Sequence, residues 1–169
     1  WKVKDNLKLR ENVLPGDELK VEEIVRSTGF FSEDEISIAR ELVEERLAKG
    51  IESGYFFLFA EIENEIVGYT CFGPIPATKH SYDLYWIAVH SNFRGKGIGK
   101  ILNVETEKII AGMGGRNIYA ETSGRGQYEP TRAFYVNNGY KEGAVLEDFY
   151  APGDAKYIYV KSVWKEVNK

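Results

Sequence analysis

At 169 residues the chain is large enough for one well-filled core and too short for two, so a single domain over residues 1–169 is expected. Hydrophobic residues at 43% and charged residues at 28% fit a globular soluble chain rather than a disordered or membrane-embedded one. A formal net charge of −4 disfavours general binding of phosphate backbones, so no nucleic-acid partner is expected.

Cys71 is the sole cysteine, which excludes an internal disulfide and a CxxC metal cage. No apolar run approaches the roughly 20 residues that span a bilayer, and Trp1-Lys2-Val3-Lys4 lacks the layout of a signal peptide. A cytoplasmic location without membrane contact is expected.

In chain order, a short strand is read at 7–10, and Pro15-Gly16-Asp17 turns into a helix running to about Arg26. Ser32 followed by Glu35 is a capping box, and Ile36, Ala39, Leu42, Val43 and Leu47 recur at helical spacing until Gly50. Aromatic and β-branched runs at 55–59 and 66–72, separated by Glu63-Asn64, predict a hairpin. Residues 82–89 read as a mostly buried central strand. A glycine-rich segment leads into a helix marked by Ile98, Ile101, Leu102 and Ile109 that ends near Gly112. A strand at 117–121, a short helix at 131–136 behind Pro130, and strands at 140–150 and 156–163 around Ala151-Pro152-Gly153-Asp154 complete the chain. The order β-α-α-β-β-β-α-β-α-β-β describes an α/β protein with a mixed sheet.

The most informative stretch is Arg94-Gly95-Lys96-Gly97-Ile98-Gly99-Lys100, between a strand and a helix. Glycines let the backbone aim several N–H groups one way, and the new helix adds unpaired N–H groups and a positive dipole end. Three cations in a net acidic chain favour an anion, so the stretch reads as a phosphate cradle. Lys100 is followed by Ile101 rather than Ser or Thr, which disfavours a Walker A loop. A dinucleotide fingerprint would need glycine where Lys100 stands.

At this point the sequence resembles the GNAT superfamily of N-acetyltransferases. Arg94-x-x-Gly97-x-Gly99 matches its pyrophosphate signature, residues 84–89 look like its central strand, and Ala133-Phe134-Tyr135-Val136-Asn137-Asn138-Gly139-Tyr140 is similar to its second motif. The resemblance covers residues 55–163. It implies a mixed, mostly antiparallel sheet of about seven strands flanked by about four helices, and acetyl-CoA as co-substrate. It also implies pyrophosphate binding by Arg94, Gly95, Lys96, Gly97, Ile98, Gly99 and Lys100, and pantetheine pairing with the backbone of Ile87 and Val89 in the manner of an added strand. The catalytic tyrosine of the family corresponds to Tyr135, and the glutamate base of one branch to Glu121. Tyr128 and Thr131 depart from the Asn and Ala that the second motif often carries. Terminal hairpin strands in the family often support dimers, so a homodimer is compatible with the resemblance.

Acetyl transfer to an amine needs a base, an oxyanion donor and a proton for the departing thiolate. Glu121 is the expected base, Tyr135 the expected acid, and the Val89 N–H a candidate oxyanion donor. His80 and His90 are not spaced as a metal pair, and no metal is expected. Cys71 reads as a small buried residue, and Phe30, Phe31, Phe149 and Tyr150 as packing or as walls of an acceptor groove. The expected acceptor is the primary amine of a small molecule or amino acid. A protein N-terminus as acceptor, or a coenzyme A-binding module without catalysis, are the alternatives.

Overall fold

The computed structural model describes residues 3–164, so the two ends of the expected domain lie outside the described residues. The elements follow the expected order: β1 (Leu7–Arg10), α2 (Asp17–Ser27), α3 (Glu33–Lys49), β2 (Phe56–Ile62), β3 (Glu65–Pro74), β4 (Ser81–Val89), α4 (Ile98–Gly112), β5 (Asn117–Ser123), α5 (Glu129–Asn137), β6 (Lys141–Ala151) and β7 (Asp154–Ser162). One unexpected helical turn, α1 (Val3–Asn6), precedes them. The strands form a seven-stranded sheet in the order β1-β2-β3-β4-β5-β7-β6. β1–β2, β2–β3, β5–β7 and β6–β7 pair antiparallel, whereas β4–β5 is parallel and needs the crossover that α4 supplies.

The folded chain divides into two compact units. The first runs to Gly73 and resumes over Trp86–Thr106. Its hairpin turns at Glu63 (φ 52) and Asn64 (φ 66), both left-handed, the conformation that matches the twist of flanking strands. Phe57 stands opposite Cys71 and Phe59 opposite Tyr69, so three aromatic rings and a small thiol share one face, and Phe57, Phe59 and Tyr69 stack at 5.7–6.4 Å. Val21, Ile24 and Val25 of α2 and Ile36, Ala39 and Val43 of α3 close that core. Ser32 caps α3 with the reciprocal Glu35 contact expected of a capping box. Arg10 ties β1 to its neighbours, bonding Glu61 at 2.6 Å and Asp17 at 2.7 Å, and these carboxylates hold its guanidinium protonated well above the ordinary range.

The second unit comprises Pro74–Tyr85 and the chain from Glu107 onward. Here alternation along β4, β5 and β7 assigns two faces. Tyr82, Leu84, Ile118, Ala120 and Tyr159 are buried on one, where Tyr135 and Tyr140 join them. β6 carries two irregularities, the larger between Leu146 and Ala151, where residues 147–150 stand opposite Ala155 alone.

Gly115 sits where the chain turns from α4 into β5, and a Cβ there would meet the Ile110 carbonyl oxygen and Tyr82 Cδ2, each at 2.9 Å, as well as the Ile110 side chain. Gly115→Ala is therefore expected to cost about 1–3 kcal/mol through overpacking. Gly112→Ala, at the last position of α4 with open space around it, is expected to leave stability unchanged or raise it by up to about 1 kcal/mol. Urea midpoints of the two variants, with unchanged slopes, check the contrast.

Candidate active site

The glycine loop belongs to the first unit. His90 donates its N–H to the Val67 carbonyl at 2.8 Å, and its ring nitrogen Nδ1 accepts from the Asn92 N–H at 3.1 Å, starting a single 3-10 turn over Ser91–Phe93. Gly95 (φ 72) and Gly97 (φ 79) then adopt the left-handed conformation, and a Cβ on either would meet nothing within 4 Å. The loop is thus open on the side where side chains would otherwise project. α4 begins at Ile98, whose buried side chain, with Leu102, anchors the helix while Gly99 keeps its first turn bare. The N–H groups of such a first turn have no intrahelical acceptor and face outward along a positive dipole end.

The C-terminal end of α2 holds this loop. The Ser91 N–H donates to Ser27 Oγ at 3.1 Å, and Arg94 Nη2 donates to the Thr28 carbonyl at 3.2 Å while its guanidinium lies 5.2 Å from the Phe30 ring centre. Arg94 is consequently engaged as a clamp on the loop. Lys96 lies over Phe93 at 5.8 Å. Close to the loop, Gly68 lets β3 approach β4: a Cβ would lie 3.1 Å from the Ala88 carbonyl oxygen and 3.3 Å from Val89. Ile87 and Val89 occupy the end of β4 that this contact supports.

In the second unit, register gathers carboxylates. Asp83 stands beside Tyr119 and Glu121 opposite Ile158, so Asp83, Tyr119, Glu121, Ile158 and Val160 share one face. They line a cavity of about 360 Å³ with Ile75, Gly143 and Ala144. Burial pushes the Asp83 carboxyl up from its ordinary value, with the Glu121 charge adding to the rise and a Tyr85 hydrogen bond and Lys156 opposing it. Glu121 is half exposed, and Lys156 Nζ bonds its Oε2 at 2.9 Å. The Lys156 ammonium also lies 4.3 Å from the Phe149 ring centre.

Tyr135 lies on the other face. Its ring stacks on Tyr159 at 5.5 Å and meets Tyr140 edge-on at 5.3 Å. Because Tyr159 alternates with Ile158 on β7, Tyr135 and Glu121 sit on opposite sides of the same strands. Burial holds the phenol proton more tightly than in water.

The profile of the acetyltransferase (GNAT) family matches residues 21–140. The chain belongs to that family. A GNAT-family protein of Desulfovibrio desulfuricans is similar at 46% identity over 94% of this chain and 99% of its own, with a TM-score of 0.92. An aminoglycoside 6'-N-acetyltransferase complexed with coenzyme A shares the fold at 21% identity, covering 95% of this chain and 99% of its own, with a TM-score of 0.76. PaiA N-acetyltransferase of Thermoplasma acidophilum, in complex with coenzyme A, shares it at 24% identity, covering 92% and 99%, with a TM-score of 0.68. No curated protein matches the chain.

As a GNAT protein the chain is an acyl-CoA-dependent acetyltransferase, and the mixed, mostly antiparallel seven-stranded sheet expected from the resemblance is present. The structure brings Arg94, Gly95, Lys96, Gly97, Ile98, Gly99 and Lys100 together at the start of α4, with Ile87 and Val89 at the end of β4. Glu121 lines the carboxylate cavity, and Tyr135 stands apart from it on the tyrosine face. Among the described residues no group of three His, Cys, Asp or Glu is placed to hold a metal, and no helix is long and apolar enough to cross a membrane. Cys71 is fully buried, which pushes its thiol up. Two residues of the cavity face, Asp83 and Lys156, were not singled out from the sequence. The signal for Asp83 was available: it is the one charge inside the otherwise apolar run at 82–89.

Asp83 binds its proton more tightly in the folded chain than in the unfolded one. Its stabilising contribution is therefore fully present below the unfolded carboxyl value of about 3.9 and is lost as pH rises through the higher folded value. Relative to Asp83→Asn, the wild type should lose unfolding free energy as pH rises from about 4 through the raised carboxyl value. Urea titrations of both proteins across that range measure the difference, and a difference independent of pH would contradict the raised carboxyl.

Proposed function

We propose that the protein transfers an acetyl group from acetyl-CoA to the primary amine of a small molecule or amino acid, by direct attack within one ternary complex. The observation that carries this reading is the compact, carboxylate-lined cavity of the second unit, in a chain whose first unit presents an anion cradle. A volume of about 360 Å³ suits a small acceptor rather than a length of peptide.

The cradle supports binding of the co-substrate. The open left-handed Gly95 and Gly97 and the first N–H groups of α4 fit a pyrophosphate, with Lys96 and Lys100 adding charge. The backbone of Ile87 and Val89 is available to extended amides, and the Val89 N–H to the thioester carbonyl. Bound acetyl-CoA would supply the activated acetyl group. Asp83 is the better placed of the two carboxyls to take a proton from the incoming amine, because burial has moved it toward the range where a base works near neutrality. Glu121, paired with Lys156, orients the ammonium before it is deprotonated.

Tyr135 is the donor to the departing sulfur. A thiol of pKa about 8.5 leaves as thiolate near neutral pH, and a phenol held above its usual value of about 10 keeps its proton and offers a hydrogen bond to that charge.

Release of coenzyme A from acetyl-CoA, followed with free amino acids, polyamines and short peptides, tests the reading. One amine class should be turned over. Tyr135→Phe and Asp83→Asn should each lower kcat by about 10²-fold or more while acetyl-CoA binding is retained. Gly97→Val should weaken acetyl-CoA binding at least tenfold, since a branched side chain at φ 79 strains the loop and fills the cradle. Binding without turnover of any amine would leave a coenzyme A-binding module, and no binding would overturn the cradle.

A further inference from the structure

Lysine is seldom buried without a reason, because its strongly hydrated ammonium and flexible stem both favour water. Lys156 is an exception: its side chain is only 15% exposed although it stands near the free end of the β6–β7 hairpin. Its register explains the direction. Lys156 lies opposite Ser123 of β5 and Leu146 of β6, on the face that carries Glu121 and Ile158, so its stem leans toward the cavity. Beside it, the irregularity over residues 147–150 of β6 swings Phe149 onto the ammonium at 4.3 Å. The Glu121 carboxylate takes the same ammonium at 2.9 Å.

On this face two carboxylates that line the cavity, Asp83 and Glu121, are followed by one cation, Lys156, which bonds Glu121. A polycationic acceptor would bring a second positive charge to the place where Lys156 already stands, and like charges there cost binding. An acceptor with one amine and a nearby anionic group meets the opposite arrangement. Its ammonium faces Asp83 and Glu121, and its anion can take a charge-assisted bond from Lys156, which has three N–H donors and gives Glu121 at most two. A cavity of about 360 Å³ suits a compact acceptor that carries both groups rather than a long diamine.

We infer that Lys156 is the receptor for a carboxylate on the acceptor, which makes the substrate class compact α-amino acids rather than polyamines or aminoglycosides. This rests on reading the carboxylate-lined cavity as the acceptor site. Phe149 fixes the ammonium, and Lys156 is a specificity-determining residue that touches the acceptor without entering the proton transfers.

The experiment compares kcat/KM at saturating acetyl-CoA for neutral α-amino acids of both hands, for the carboxamide of each, and for spermidine, with wild type, Lys156→Met and Lys156→Arg. Wild type should prefer at least one acid over its carboxamide by tenfold or more. Lys156→Met should collapse that ratio toward one, mainly through KM for the acid, with KM for acetyl-CoA and the thermal midpoint little changed, while Lys156→Arg should keep most of the preference. A merely structural lysine would lower both acceptors together and leave the ratio intact. Preference of the wild type for carboxamides or spermidine, or a ratio unmoved by Lys156→Met, overturns the inference while leaving the acetyltransferase reading standing. Failure of the wild type to acetylate any amine removes both.

Discussion

Strict alternation of side chains along β4, β5 and β7 is the constraint on which the second unit depends. Each residue on these strands must choose a face, and the register leaves no freedom in the choice. Ala120 and Thr122 face the tyrosines, so Tyr119 and Glu121 face the cavity. Tyr159 receives the ring of Tyr135, so Ile158 closes the floor beside Glu121. A slip of one residue in β7 would bring Tyr157 and Tyr159 to the cavity and turn Ile158 toward α5, removing both the stack and the floor. Asp83 and Glu121 are thereby kept on the opposite side of the same three strands from Tyr135, separated by their thickness rather than by a loop.

In the first unit the corresponding constraint is conformational. Two left-handed glycines separated by one residue give a path that L-residues with side chains adopt only at a cost of about 1–2 kcal/mol each. The path is held from outside by Ser27, Thr28 and Phe30 at the end of α2. Arg94 illustrates how position and side chain can have separate roles. Its place in the motif is that of an anion-binding residue, yet its guanidinium is turned toward the Thr28 carbonyl and the Phe30 ring just past the end of α2, where it stiffens the loop. The backbone N–H groups and the dipole of α4 are left as the fixed part of the cradle, which requires no side chain to move.

Legibility of these features in the sequence followed the range of the interactions. The capping box at Ser32, the hairpin at Glu63-Asn64 and the strand-loop-helix around Gly97 are set by neighbours within a few residues, and the spacing of residues alone predicted them. The single turn at Val3–Asn6 carries no such local signature. Asp83 was overlooked because a run of apolar residues reads as a buried strand whichever face each occupies. Lys156 was out of reach for a different reason: its approach to Glu121 depends on the β5–β7 register and its contact with Phe149 on the extra residues in β6, and neither is encoded in composition or period. The face taken by Tyr135 likewise follows from its partner Tyr159, more than twenty residues away.

The division of labour between the two carboxylates has a consequence for the chemistry. At pH 7 an α-amino group of pKa about 8 costs about 1.4 kcal/mol to deprotonate, whereas a lysine-like amine of pKa about 10.4 costs about 4.6 kcal/mol. A single aspartate, raised by burial but countered by a Tyr85 hydrogen bond and by Lys156, is a modest base. The α-amine asks less of such a base than the lysine-like amine does. Glu121 is not free, since Lys156 holds it. In the proposed reading, the ion pair that sets Lys156 toward an acceptor carboxylate also keeps Glu121 from serving as a second base, so both preferences would trace to one lysine.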